Sequence, residues 1–166
     1  MSPTLVSLKA GDCLLYKPKG FFGRLIAIKT WHQIGHVEVY DGSEIDFPTG
    51  RASWASRDGK GVGRYDYREK QLKYVLRPSA PFDLAAARRW ARRMNGTPYG
   101  WADLANFVGL NIDRHGIVCS PFVAGYYKAG GFNVFPEDEI NDIAPFQFLA
   151  YVGHGFEKVY DAGELQ

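Results

Sequence analysis

A chain of 166 residues with 46% apolar and 23% charged side chains can bury a core and suits one domain, residues 1–166. A net charge of +2 calls for neither nucleic acid nor an acidic membrane as partner, and no apolar run reaches the roughly 20 residues of a stable membrane insertion. Two cysteines, Cys13 and Cys119, exclude a disulfide framework.

In chain order, "DCLLYK" after Gly11 reads as an apolar strand, and "FFGRLIAIKTWH" as a short helix or an irregular connection. "HVEVY" alternates and ends at "DGS"; "ASWASR", "GVGRYDYR" and "KYVLRP" continue the strand pattern, with "EKQ" as a turn. The second half turns helical. Pro81, Phe82 and Asp83 open "LAAARRWARRM", and Asn95 and Gly96 close it. Arg88, Arg89, Arg92 and Arg93 on this helix read as a solvated face. "WADLANFV" predicts a second helix, "SPFVAGYYKAGGF" a third that ends in two glycines, "IAPFQFLAYV" a short fourth, and "FEKVY" a last strand. Strands first and helices after, without regular alternation, predict an α+β fold: an antiparallel sheet with helices on one side.

Cys119 stands where an apolar strand end meets the third helix, with Ser120 expected as cap and Pro121 in the first turn. Peptide N–H groups at a helix start favour a thiolate and can hold an oxyanion. A small buried hydrophobe under the helix is the structural alternative. A base would come from four histidines: His32, His36, His115 or His154. Strand alternation puts His36, Glu38 and Tyr40 on one face of "HVEVY" and Val37 and Val39 on the other, which fits a polar cleft or a solvent side equally well. His32 and His36 are four apart, but the intervening "QIG" and the following strand argue against a helical zinc pair, so no metal and no cofactor is expected.

Four segments carry a resemblance: "NGTPYGW" (95–101), "CSPFV" (119–123), "GDCLLY" (11–16) and "HVEVY" (36–40). Together they resemble the NlpC-type branch of the papain-like cysteine hydrolases in circularly permuted form, the group that also includes lecithin–retinol acyltransferase-like proteins. The cyclic order is that of the family, but the chain opens elsewhere, so the last two segments come first. The resemblance implies a papain-like, barrel-like antiparallel sheet packed on helices, with Cys119 as nucleophile, His36 as base and Tyr99 beside the sulfur as a substrate or oxyanion contact. It places Cys13 in the core. It also implies a polar residue that orients the imidazole on the strand after the base strand, for which Asp46, Ser53 and Ser56 qualify; Glu38, on the base strand itself, is a further candidate. The chain departs from the family pattern after Trp101, where Ala102 and Asp103 stand in place of a glycine.

The activity implied is cleavage of an amide bond, with a peptidoglycan-derived stem peptide as substrate and Trp31, Trp54, Trp101 and Tyr99 as candidate cleft aromatics. An amidase, thioesterase or acyltransferase acting on lipid or protein conjugates shares the chemistry. A non-catalytic scaffold assembled into a phage tail or secretion apparatus is the alternative from another class. The start "MSPTLVSLKAGD" carries no basic segment followed by a long apolar run, so the cytoplasm is the default expectation. Action on a cell wall would then need delivery by a phage, a holin or a secretion system.

Overall fold

The structure is a computed structural model, and it describes residues 7–19, 24, 33–42, 51–100, 117–136, 140 and 142–163. Six strands make one sheet: β1 (Cys13–Tyr16), β2 (His36–Tyr40), β3 (Ala52–Arg57), β4 (Gly61–Asp66), β5 (Leu72–Pro78) and β6 (Phe156–Asp161). Their order is β4-β3-β2-β1-β5-β6, and every neighbouring pair is antiparallel. Between β5 and β6 the chain forms α1 (Leu84–Met94) and α2 (Cys119–Ala129). The fold is therefore α+β with an antiparallel sheet. The expected barrel-like closure is not seen among the described residues, where β4 and β6 are the two ends of the array.

Alternation along each strand sorts its side chains between two faces. Cys13 and Leu15 of β1, Val37 and Val39 of β2, Trp54 of β3 and Leu76 of β5 pack with Ala87 and Ala91 of α1 and with Phe122, Val123 and Tyr126 of α2. The opposite face collects Leu14, Tyr16, Tyr67, Leu72 and Val75. Both helices thus lie on one side of the sheet. β1 is buried at all four positions, which explains why "CLLY" shows no polar alternation. Cys13 and Trp54 are core residues, while Trp31 and Trp101 lie outside the described residues.

The helix ends follow local rules. Asp83 caps α1, its carboxylate accepting the Ala86 N–H at 2.8 Å. The cap of α2 lies two residues earlier than expected: Val118, and not Ser120, is the cap, with no side-chain bond, and Cys119 is already in the first turn beside Ser120 and Pro121. It closes on Gly131, whose φ of +80° favours glycine; the Gly131 N–H reaches Lys128 O at 2.9 Å and the Phe132 N–H reaches Tyr127 O at 2.9 Å. "EKQ" is a 3-10 turn, and the expected fourth helix is a 3-10 helix, Pro145–Tyr151. The predicted "WADLANFV" helix and all of "FFGRLIAIKTWH" but Arg24 lie outside the described residues.

Arg88 departs from the solvated face assigned to its helix. It donates through Nε to Asp41 Oδ1 at 2.7 Å and through Nη2 to the Asp41 carbonyl, while Arg64 reaches Asp41 Oδ2 at 2.8 Å. This buried aspartate, just past β2, ties α1 and β4 to the end of that strand. Arg89, Arg92 and Arg93 are exposed as expected.

An aromatic cluster joins β6 to α2. The Phe156 ring lies 5.3 Å from Tyr127, 5.2 Å from Phe132 and 6.4 Å from Phe148. Phe156→Ala is expected to lower stability by about 3–5 kcal/mol in urea unfolding. Glu157→Ala, on the exposed face of the same strand, is expected to change it by less than about 0.5 kcal/mol.

Candidate active site

Three segments converge at the start of β2. The first is β2 itself, which opens on His36. The second is the first turn of α2, which carries Cys119. The third is the stretch after α1, where Tyr99 pairs in parallel with Ile117 and the Ile117 N–H donates to Pro98 O at 3.1 Å. That pairing sets Tyr99 alongside the residues leading into Cys119. β4 approaches the same stretch closely: the Val62 N–H donates to Thr97 O at 2.8 Å, and a Cβ on Gly61 would lie 2.4 Å from that oxygen. Only glycine, here with φ +76°, permits this approach.

Cys119 is 2% exposed. Burial pushes its thiol up, but the His36 imidazolium beside it outweighs that, helped by hydrogen bonds from the His36 ring, the Val37 N–H and the Ser120 hydroxyl. The net result is a thiol held below its ordinary range, which favours the thiolate form. Ser120 Oγ lies 3.8 Å from the sulfur. The helix start adds peptide N–H groups without intrahelical partners, whose partial positive charge acts in the same direction.

His36 is the counterpart. Burial lowers its basicity, yet the Cys119 sulfur and the Glu38 carboxylate raise it further, to about 9. Its Nε2–H donates to Glu38 Oε1 at 2.9 Å, which leaves Nδ1 as the ring nitrogen for the sulfur. The Tyr16 ring packs on the imidazole with centroids 5.8 Å apart. The side chain is 13% exposed, so one edge reaches solvent.

Glu38 is fully buried and accepts four bonds. Oε1 takes the His36 ring N–H and Arg57 Nε–H at 2.7 Å; Oε2 takes the Tyr16 hydroxyl at 3.2 Å and the Ser53 hydroxyl at 2.5 Å. Burial pushes the carboxyl up, and the bonds and charges of His36 and Arg57 overcome it, holding the group at about 2. Tyr99 is buried beside the sulfur; burial, then the charges of Cys119 and Asp58, raise its phenol well above its usual value. It therefore remains an O–H donor throughout the neutral range.

Of the residues singled out from sequence, Cys119, His36, Glu38 and Tyr99 come together. Ser53 reaches the site through Glu38, as a donor to it and not to the imidazole. Ser56 does not belong: it lies on the helix side of β3, where its hydroxyl donates to Ile117 O at 2.5 Å. Asp46, His32 and His115 lie outside the described residues, and His154 sits in an exposed turn before β6. The group orienting His36 comes from its own strand, two residues on, and not from the strand after it. "HVEVY" is also no solvent side, since Glu38 is 0% exposed. Arg57 and Tyr16 escaped the sequence reading. An arginine closing a strand of small residues, in alternation with Ser53, was the available signal.

No group of three or more His, Cys, Asp or Glu side chains placed to hold a metal occurs among the described residues. No helix among them is long and apolar enough to cross a membrane. Set against protein-family models and against curated protein sequences, the chain matches none of them.

Two measurements follow from the electrostatics. His36→Ala removes the cation that offsets burial of Cys119, so iodoacetamide labelling of Cys119 at pH 6.5 is expected to slow at least about tenfold, the effect of one pKa unit. Glu38 is depressed from 4.5 to about 2, so its contribution to stability is complete above pH 4.5 and is lost as pH falls toward 2. His36 is raised from 6.5 to about 9, so its contribution is complete below 6.5 and is lost as pH rises through 9. Between pH 4.5 and 2 the urea midpoint of the wild type is expected to fall more steeply than that of Glu38→Gln.

Proposed function

We propose that the chain is a cysteine hydrolase of the circularly permuted NlpC type that cleaves an amide bond, with a peptidoglycan stem peptide as substrate. The observation that carries this reading is the buried Cys119–His36–Glu38 relay at the start of a helix, where each group shifts the titration of the next. A core cysteine packed as a small hydrophobe needs neither an imidazolium nor a carboxylate with four donors behind it. The order of the segments, with "GDCLLY" and "HVEVY" before "CSPFV", is that of the permuted group.

The residues divide the reaction as follows. The Cys119 thiolate attacks the carbonyl carbon, and a C–S bond forms as the oxygen takes up negative charge. The Cys119 N–H at the start of α2 and the Tyr99 hydroxyl are the donors for that oxyanion. His36 gives its Nδ1 proton to the leaving nitrogen as the C–N bond breaks, leaving a thioester and a free amine. The neutral imidazole then takes a proton from water, and the resulting hydroxide attacks the thioester. The C–S bond breaks, the acid is released, and the thiolate–imidazolium pair is restored. Glu38 stays ionised throughout and holds the ring with Nε2–H toward itself, so Nδ1 always faces the sulfur.

Catalysis needs both the thiolate and the imidazolium, so activity is expected between the lowered thiol value and about pH 9, above which His36 loses its proton. Purified muropeptides incubated with the wild type are expected to gain the mass of one water per bond cut, and Cys119→Ala is expected to leave them intact while unfolding at an unchanged urea midpoint within about 1 kcal/mol. Cleavage of short acyl esters but not muropeptides would assign the site to a lipid or conjugate substrate instead. Full muropeptide cleavage by Cys119→Ala would remove the nucleophile assignment.

A further inference from the structure

Arg57 ends β3, whose other residues are small apart from Trp54. Its guanidinium is fixed on three sides. Nε donates to Glu38 Oε1 at 2.7 Å, Nη2 donates to Asp66 O at 2.7 Å, and the Tyr65 ring centroid lies 4.6 Å from Cζ. Tyr65 is itself anchored, its hydroxyl donating to Gly61 O at 2.9 Å. The Arg57 side chain is 9% exposed, so water screens its charge weakly. A guanidinium serving only to tie β3 to β4 would be satisfied by carbonyls. This one is aimed at the same carboxylate oxygen that receives the His36 ring N–H.

With Cys119 as the thiolate, the charges alternate from the sulfur outward: thiolate, imidazolium, carboxylate, guanidinium. Their sum is zero. Without the guanidinium the group would carry a net negative charge in a buried place, which is costly. The remaining groups that face this row do not balance it. Tyr16 on β1, Ser53 on β3 and Tyr65 on β4 are neutral hydroxyls, as is Tyr99 beside the sulfur. Asp58 acts on Tyr99 and adds negative charge, and Lys60 stands off at 5.9 Å from the Tyr65 ring.

We propose that Arg57 is a positioning residue that sets the charge balance of the Cys119–His36 pair, acting through the Glu38 carboxylate it shares with His36. The inference rests on Cys119 and His36 being nucleophile and base. Its consequence has a sign. Removing the guanidinium charge makes the group take up protons more readily, so the sulfur is protonated at higher pH and His36 keeps its proton to higher pH. Removing the carboxylate charge does the reverse, and removing both together largely cancels.

The test reads two midpoints in the intact chain. The first is the pH at which iodoacetamide labelling of Cys119 reaches half its plateau, with the site identified by peptide mass because Cys13 is a second thiol. The second is the titration of the His36 ring by NMR, assigned by its loss in His36→Ala. Arg57→Met is expected to move both midpoints up by on the order of one pH unit, and Glu38→Gln to move both down by a similar amount. The double variant is expected to return them to within about 0.3 unit of the wild type. Arg57→Lys, which keeps the charge, is expected to stay near the wild type. Loss of packing alone would not give shifts of opposite sign that cancel. If Arg57→Met does not fold, the double variant against Glu38→Gln measures the same guanidinium charge without stranding a carboxylate, and an upward shift of about one unit is expected. Midpoints that stay in place, or move down, when Arg57 loses its charge would overturn the proposal. Wild-type Cys119 that labels only at the pH of an ordinary thiol, unaffected by His36→Ala, would instead overturn the underlying nucleophile–base reading.

Discussion

The carboxylate of Glu38 is the constraint on which the rest depends. It has no access to water, so it can remain charged only if the protein supplies the bonds water would have made. Four donors from β1, β2 and β3 do so, and two of them bring charge. Such an arrangement is weak evidence of stabilisation, because well-packed apolar residues fill buried space at no desolvation cost. It is better understood as a device that fixes one imidazole in one orientation and one protonation state. The order of strands follows from that need: β2 lies between β1, which supplies Tyr16, and β3, which supplies Ser53 and Arg57.

The helix side of the sheet solves a different problem. Cys119 is buried beside the His36 imidazolium; burial favours its protonated form, and the neighbouring charge and donors outweigh that. Its place in the first turn of α2 puts it where backbone N–H groups are unclaimed by the helix, and the Val37 N–H adds a donor from the strand below. Tyr99 arrives by a separate route, through the pairing with Ile117, and its position depends on Gly61 letting Thr97 come near β4. The site is thus built from main-chain pairings at least as much as from side chains.

Much of this was legible in the sequence because local signals agreed with the global fold. "HVEVY" alternates, Asp83 and the paired glycines punctuate the helices, and strands and helices do not alternate regularly, five strands preceding the two helices and one following them. The motif combination pointed to Cys119, His36 and Tyr99 before any geometry. What stayed hidden was long-range. Alternation placed Glu38 beside His36 but equally allowed a wet face, and only burial by β1 and β3 makes it a structural ion. Ser53 and Ser56 are indistinguishable as letters in "ASWASR"; the register of β3 against β2, Val39 opposite Trp54 and Tyr40 opposite Ser53, sends one to Glu38 and the other to Ile117. Arg57 gave no signal beyond its position, because its role arises from Glu38 on one neighbouring strand and from Tyr65 and Asp66 on the other.

The separation of the two halves of the site along the chain bears on how it matures. The carboxylate, its donors and the imidazole all come from residues 16–57, so the polar cradle can assemble from early, mostly neighbouring strands as the polypeptide leaves the ribosome. The sulfur is encoded 83 positions after the imidazole (119 − 36) and joins only when α2 docks. The sulfur and the imidazole therefore meet only through contacts between segments far apart in the chain, and their mutual shift in titration is a property of the complete tertiary structure.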